Sequence, residues 1–187
     1  MIKRTFSLSK LEYACNTLEL LGILAVLFIA FLFQVLLHDL PCPLCLLQRV
    51  GFFGIALGFL LNLRFGFKPS HYGIVILSAI FTSFVALRQI AIHVIPGTGA
   101  YGQPFLGFHL YTWSFIISMI VIVTTTLLLS IDRQYFREEP IQRPFNKGLS
   151  IIFITAILLV LANVVTVLGE CGFKSCPQDP TEYHFHL

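Results

Sequence analysis

Charge is what this chain has least of. Asp, Glu, Lys and Arg together make up 11% of its 187 residues, against roughly 25% in soluble domains. That shortage excludes an ordinary soluble fold, and 57% hydrophobic residues with a mean hydropathy of +0.86 place the chain among integral membrane proteins. A net charge of +3 is too small to point to nucleic acid. Internal repeats and low-complexity segments are absent. Cysteine is sparse too: five residues, Cys15, Cys42, Cys45, Cys171 and Cys176, which suit two pairs and one single. Cys15 reads as a buried or interfacial thiol without a role.

What is abundant is apolar runs of membrane-crossing length. A basic start with Lys3, Arg4 and Lys10 precedes Leu18 to Leu37, 20 mostly apolar residues, enough to cross a hydrocarbon core of about 30 Å. This run is longer than a signal-peptide core and no small-residue cleavage site follows it, so a retained helix is expected. Further spans are expected at about Leu44 to Leu63, His71 to Ile95, Leu110 to Ile131 and Gly148 to Gly169. The expected fold is an all-α integral membrane protein, a four-helix transmembrane bundle plus a fifth transmembrane helix. Residues 1–147 form the core with a cytoplasmic N-terminal segment, and residues 148–187 form the fifth helix with an outer tail.

Orientation follows from the basic residues. With the N-terminus cytoplasmic, nine of the twelve Lys and Arg lie inside: Lys3, Arg4, Lys10, Arg64, Lys68, Arg133, Arg137, Arg143 and Lys147. Only Lys174 lies outside, and Arg49 and Arg88 fall within spans. That is a strong positive-inside bias. It puts Cys42 and Cys45, before the second span, on the same outer face as Cys171 and Cys176, after the fifth. An outer compartment is where disulfides form and persist.

The chemistry concentrates in Pro41-Cys42-Pro43-Leu44-Cys45-Leu46-Leu47-Gln48-Arg49. Cys-x-x-Cys is a redox or metal motif. Pro43 suits the first turn of a helix, which puts Cys42 near its N-cap and Cys45 in its first turn. A helix N-terminus favours a thiolate. Arg49 is one turn beyond Cys45 on the same face, where its guanidinium can support that thiolate or polarise an oxygen of a bound acceptor. Gln48 can donate a hydrogen bond on that side. An arginine within an apolar span is a functional candidate, although one placed a single turn inside can also snorkel to the headgroups. A lone Cys-x-x-Cys supplies two of the four ligands zinc needs.

Pro-Cys-x-x-Cys-x-x-x-Arg at the start of a second transmembrane helix resembles DsbB, the bacterial quinone-dependent thiol oxidase. Phe105 to Trp113 is similar to that family's segment at the entry to the fourth helix, and Arg88-Gln89 with His93 before Pro96 is similar to its third helix. The likeness covers roughly residues 15–130. It implies a protein-disulfide oxidoreductase of the bacterial inner membrane that oxidises a periplasmic DsbA-like thioredoxin-fold partner. Electrons would pass through Cys42 and Cys45 to a membrane quinone, ubiquinone or menaquinone. Cys45 would face the quinone ring and Arg49 would contact a quinone oxygen.

One departure is plain. The family's second cysteine pair lies between the third and fourth helices, and Gly97 to His109 contains no cysteine. Cys171 and Cys176, in the periplasmic tail, are expected to replace that pair as catalytic cysteines; a purely structural staple is the alternative. Gln89 and His93, four residues apart, are candidates for the quinone site, His93 also for proton transfer, against an ordinary interhelical histidine. Arg88 has no obvious acidic partner. Tyr111 and Trp113 read as aromatic-belt anchors with an edge role at the quinone as the alternative. The rival from another class is a metal-handling membrane protein, with the outer cysteines, His184 and His186 as ligands. Their spacing fits no standard pattern, and no metal site is assigned.

Overall fold

The computed structural model describes residues 2–37, 40–95, 97, 99–102, 104–131, 135, 147–172 and 176, with side chains from residue 11 onward. Five helices account for most of them: α1 Ile2–Leu36, α2 Pro43–Phe65, α3 Pro69–His93, α4 Leu110–Leu129 and α5 Lys147–Cys171. There are no strands among the described residues, and all five helices contain a stretch long and apolar enough to cross a membrane. The chain is an all-α, multi-pass membrane protein.

The boundaries follow local chemistry. Pro43 and Pro69 open α2 and α3, where a missing N–H leaves no bond unmade. Gly66, at φ 85°, ends α2 in a conformation that only glycine adopts cheaply. α1 begins well before the apolar run, because no proline or glycine interrupts residues 2–21 and a helix continues through polar side chains. Its membrane-crossing part is Leu11–Leu36.

α3 packs between α2 and α4, α1 lies on α2, and α5 rests on α1 and α2. The closest approach is along Gly51, Gly54 and Gly58 of α2, a small-residue stripe facing Thr82, Ser78 and Val75 of α3. Leu20, Ile23 and Leu27 of α1, Phe52, Ile55 and Phe59 of α2, Val75 and Ala79 of α3, and Val121 of α4 fill the centre; Leu149, Ala156 and Leu159 close it from α5. At the end remote from Cys42 and Cys45 a polar knot joins three helices. Asn62 donates to Asn16 at 3.0 Å, Asn16 donates to the Tyr72 hydroxyl at 3.0 Å, and His71 Nδ1 meets Asn62 Oδ1 at 3.1 Å.

Candidate active site: a disulfide beside an apolar cavity

Cys42 caps α2 with extended backbone angles, and its Sγ accepts the Cys45 backbone N–H at 3.1 Å. A sulfur thus does what a serine or aspartate oxygen does at many helix starts. The two cysteines are joined as a disulfide, Cα to Cα 5.0 Å. From α3, Gln89 Nε2 donates to both sulfurs, at 3.3 Å to Cys42 and 3.4 Å to Cys45. Gln48 Nε2 donates to Gln89 Oε1 at 2.6 Å, and both amides are buried.

Arg49, also buried, is held from three sides. Its NH1 donates to Gln34 Oε1 of α1 at 2.6 Å and to Asn163 Oδ1 of α5 at 2.9 Å, and its NH2 donates to the Ala30 carbonyl at 3.1 Å. Asn163 is itself oriented by donating to the Leu159 carbonyl at 2.9 Å. Two helical turns further along α5, Glu170 is 2% exposed, neither of its carboxyl oxygens has a hydrogen-bond partner among the described residues, and the Arg49 charge acts on it.

Cys45, Gln48 and Arg49 share one wall of a cavity of about 250 Å³. Val26, Ala30 and Phe33 of α1, Phe52 of α2 and Leu110 and Ile117 of α4 contribute apolar surface, and Tyr101, Tyr111, Trp113 and Ser114 also line it, so the lining is largely apolar. The segment between α3 and α4 covers it. Phe105 and Phe108 exchange backbone bonds of 2.8 and 3.2 Å around Leu106 (φ 51°) and Gly107 (φ 86°), a two-residue turn with both central φ angles positive. Phe105 packs edge-on against Phe33, the Trp113 indole N–H donates to the Phe105 carbonyl at 2.8 Å, and the Tyr101 hydroxyl donates to the Leu40 carbonyl at 2.5 Å.

The sequence candidates therefore separate. Cys45, Gln48 and Arg49 line the cavity; Cys42 and Gln89 lie behind it, at the disulfide. His93 is outside the lining, stacked at 5.4 Å on Tyr111, with Nδ1 2.8 Å from the Gly99 carbonyl oxygen. Tyr111 and Trp113 both reach the cavity, whereas Arg88 is on the exposed face of α3. Cys171 and Cys176 are joined as a disulfide, Cα to Cα 4.7 Å, across the end of α5, where Gly172 (φ 59°) turns the chain. Cys15 is a free, partly buried thiol. Among the described residues no cluster of three or more His, Cys, Asp or Glu side chains suits a metal ion. His184, His186 and Lys174 lie outside the described residues. Three polar residues at the site are absent from the sequence candidates: Gln34, Asn163 and Glu170. The signal that finds them is their position in apolar helices, where a polar side chain needs a partner.

Residues 13–100 match the family model described as "Disulfide bond formation protein DsbB". No curated protein and no solved structure matches the chain significantly. The matched residues include the whole of α2 and α3 and most of α1. Over that stretch, which carries Cys42, Cys45, Arg49 and Gln89, the chain matches the DsbB family, a match that supports disulfide bond formation by thiol–disulfide oxidoreduction.

Proposed function

We propose that the protein oxidises a periplasmic, DsbA-like thioredoxin-fold partner and passes the electrons through Cys42 and Cys45 to a membrane quinone. The observation that carries this reading is the wall shared by Cys45, Gln48 and Arg49 on a largely apolar cavity. A quinone is a flat apolar ring with oxygens at its edge, and this lining offers apolar surface to the ring and N–H donors to the oxygens. A bound quinone supplies an acceptor for two electrons and two protons. Arg49, immobilised by Gln34, Asn163 and Ala30, presents a fixed positive charge toward the cavity. Preorganised donors of this kind act most strongly where water is excluded.

Cys42 and Cys45 lie at the start of α2, on the end of the bundle away from Arg64 and Lys68, so exchange with a soluble partner takes place at the outer face of the inner membrane. The core of residues 1–147 carries the oxidase chemistry, and residues 148–187 add the fifth helix and the tail pair. Cys171 and Cys176 take electrons from the partner in place of the pair absent from the α3–α4 segment, and hand them to Cys42–Cys45 by exchange through a mixed disulfide. His93 remains a candidate for proton transfer, one ring behind the cavity.

Thiol trapping with peptide mass mapping in native membranes tests this. In quinone-replete cells both pairs are oxidised, and in quinone-depleted cells both accumulate as thiols. Cys176→Ser stops partner oxidation and leaves quinone binding intact. A response confined to Cys42 and Cys45 would make the tail pair a staple. No response from either pair would remove the oxidase reading.

A further inference from the structure

Gln89 spends both ends of its amide on the reacting centre. Its Oε1 is taken up by Gln48 Nε2 at 2.6 Å, which directs its NH2 group at the sulfurs, 3.3 and 3.4 Å away. Gln89 is 1% exposed and Gln48 4%, so water does not compete for those N–H groups. A disulfide sulfur is a poor acceptor, and burying two good donors against it leaves most of their hydrogen-bonding capacity unused. A thiolate at the same place is a strong acceptor, since charge-assisted bonds are about twice as strong as neutral ones. The arrangement therefore fits the reduced pair better than the oxidised pair.

We propose that Gln89 is a catalytic residue of the exchange step, holding the sulfur on which the departing electron pair arrives, with Gln48 as its positioning residue. In that step a thiolate of the incoming dithiol attacks one sulfur of Cys42–Cys45. A new S–S bond forms, the Cys42–Cys45 bond breaks, and its electron pair leaves on the other sulfur as thiolate. The second thiol of the incoming dithiol, also as thiolate, then attacks the mixed disulfide and breaks it, so the dithiol leaves oxidised, the Cys42–Cys45 pair is left reduced, and the protons of the two attacking thiols have gone to solvent. Gln89 reaches either sulfur, so it serves attack at either one. When Cys42 is the leaving sulfur, the Cys45 backbone N–H at 3.1 Å adds a second donor. Stabilising the reduced form in this way makes a disulfide a stronger oxidant. The inference deepens the dithiol reading of the same site, and its test does not depend on a quinone.

The test is the redox equilibrium of the full-length purified protein with glutathione, read for each cysteine pair by alkylation and peptide mass mapping. Gln89→Leu is expected to shift Cys42–Cys45 about tenfold toward the disulfide, which is about 30 mV for a two-electron couple. Cys171–Cys176 in the same sample is the reference and stays where it is. An unmoved Cys42–Cys45 equilibrium in folded Gln89→Leu protein overturns the proposal, and so does an equal shift of both pairs, which marks general loosening. If that variant does not fold, Gln48→Leu decides: a several-fold shift in the same direction supports the proposal, and none overturns it. Reduction of ubiquinone-1 by the unmodified protein is scored separately. Its absence defeats the quinone reading and leaves the glutathione result standing.

Discussion

Arg49 is a buried cation whose partners come from other helices: Gln34 and Ala30 from α1, Asn163 from α5. A hydrogen bond to a charged group contributes about 1.5–3 kcal/mol, so losing one frees the guanidinium to rotate away from the cavity. Asn163→Leu is expected to raise the KM for ubiquinone-1 roughly tenfold with kcat little changed, since about 1.4 kcal/mol is tenfold. In an Arg49→Lys background the same substitution should have little further effect, because residues that act through one another are not additive. Steady-state kinetics of the four proteins of this cycle check it. A fall in kcat at unchanged KM would place Asn163 outside acceptor binding. Spacing made the Cys42, Cys45, Gln48 and Arg49 relationship legible, because i, i+3 and i+4 positions share a helix face. Gln89 was legible only as a neighbour of the site. Its aim at the sulfurs comes from the pairing of α2 with α3, which local sequence does not encode.

The α2–α3 contact positions that amide. A Cβ built on Gly58 would lie 2.9 Å from the His71 carbonyl oxygen, closer than side chains come, and it would also crowd Val75. Without a hydrophobic driving force between helices in lipid, such close backbone packing is a main source of association. Gly58→Leu is expected to cost about 1–3 kcal/mol through overpacking. Gly73→Leu, where nothing lies within 4 Å, should be tolerated. Thermal unfolding in detergent compares the two, and equal Tm values would mean that the stripe does not hold the helices together. α5 shows a related pattern. Leu149, Ala156, Asn163 and Glu170 recur every seven residues, all buried, while Ile151, Ile154, Leu158 and Leu161 are exposed. That period keeps one seam against a neighbouring helix, and it carries Asn163 to Arg49.

For the molecule as a whole, charge and helix arrangement give the same two ends. Arg64, in the last turn of α2, and Lys68, just before α3, lie at one, and Lys147 opens α5. The Cys42–Cys45 pair and the cavity cover, Tyr101 to Phe108, lie together at the other, joined by the bond from Tyr101 to the Leu40 carbonyl. In intact cells an impermeant maleimide is expected to label Gly97→Cys and to reach Lys68→Cys only after the inner membrane is permeabilised. The reverse labelling would invert the proposed orientation and put the disulfides in a reducing compartment.

Helix number, helix type and the Cys42–Cys45 pair were readable along the chain, because apolar run length, proline and glycine positions and Cys-x-x-Cys spacing are local quantities. The cavity, the Gln48–Gln89–disulfide contacts and the use of Asn163 by Arg49 were not. They join residues up to 114 positions apart, and such contacts depend on which helix faces meet. In a chain this apolar nearly every helix face is hydrophobic, so periodicity separates lipid-facing from partner-facing sides poorly. The small-residue stripe and the buried polar side chains make that choice, through close packing and the need of each N–H and carbonyl group for a partner.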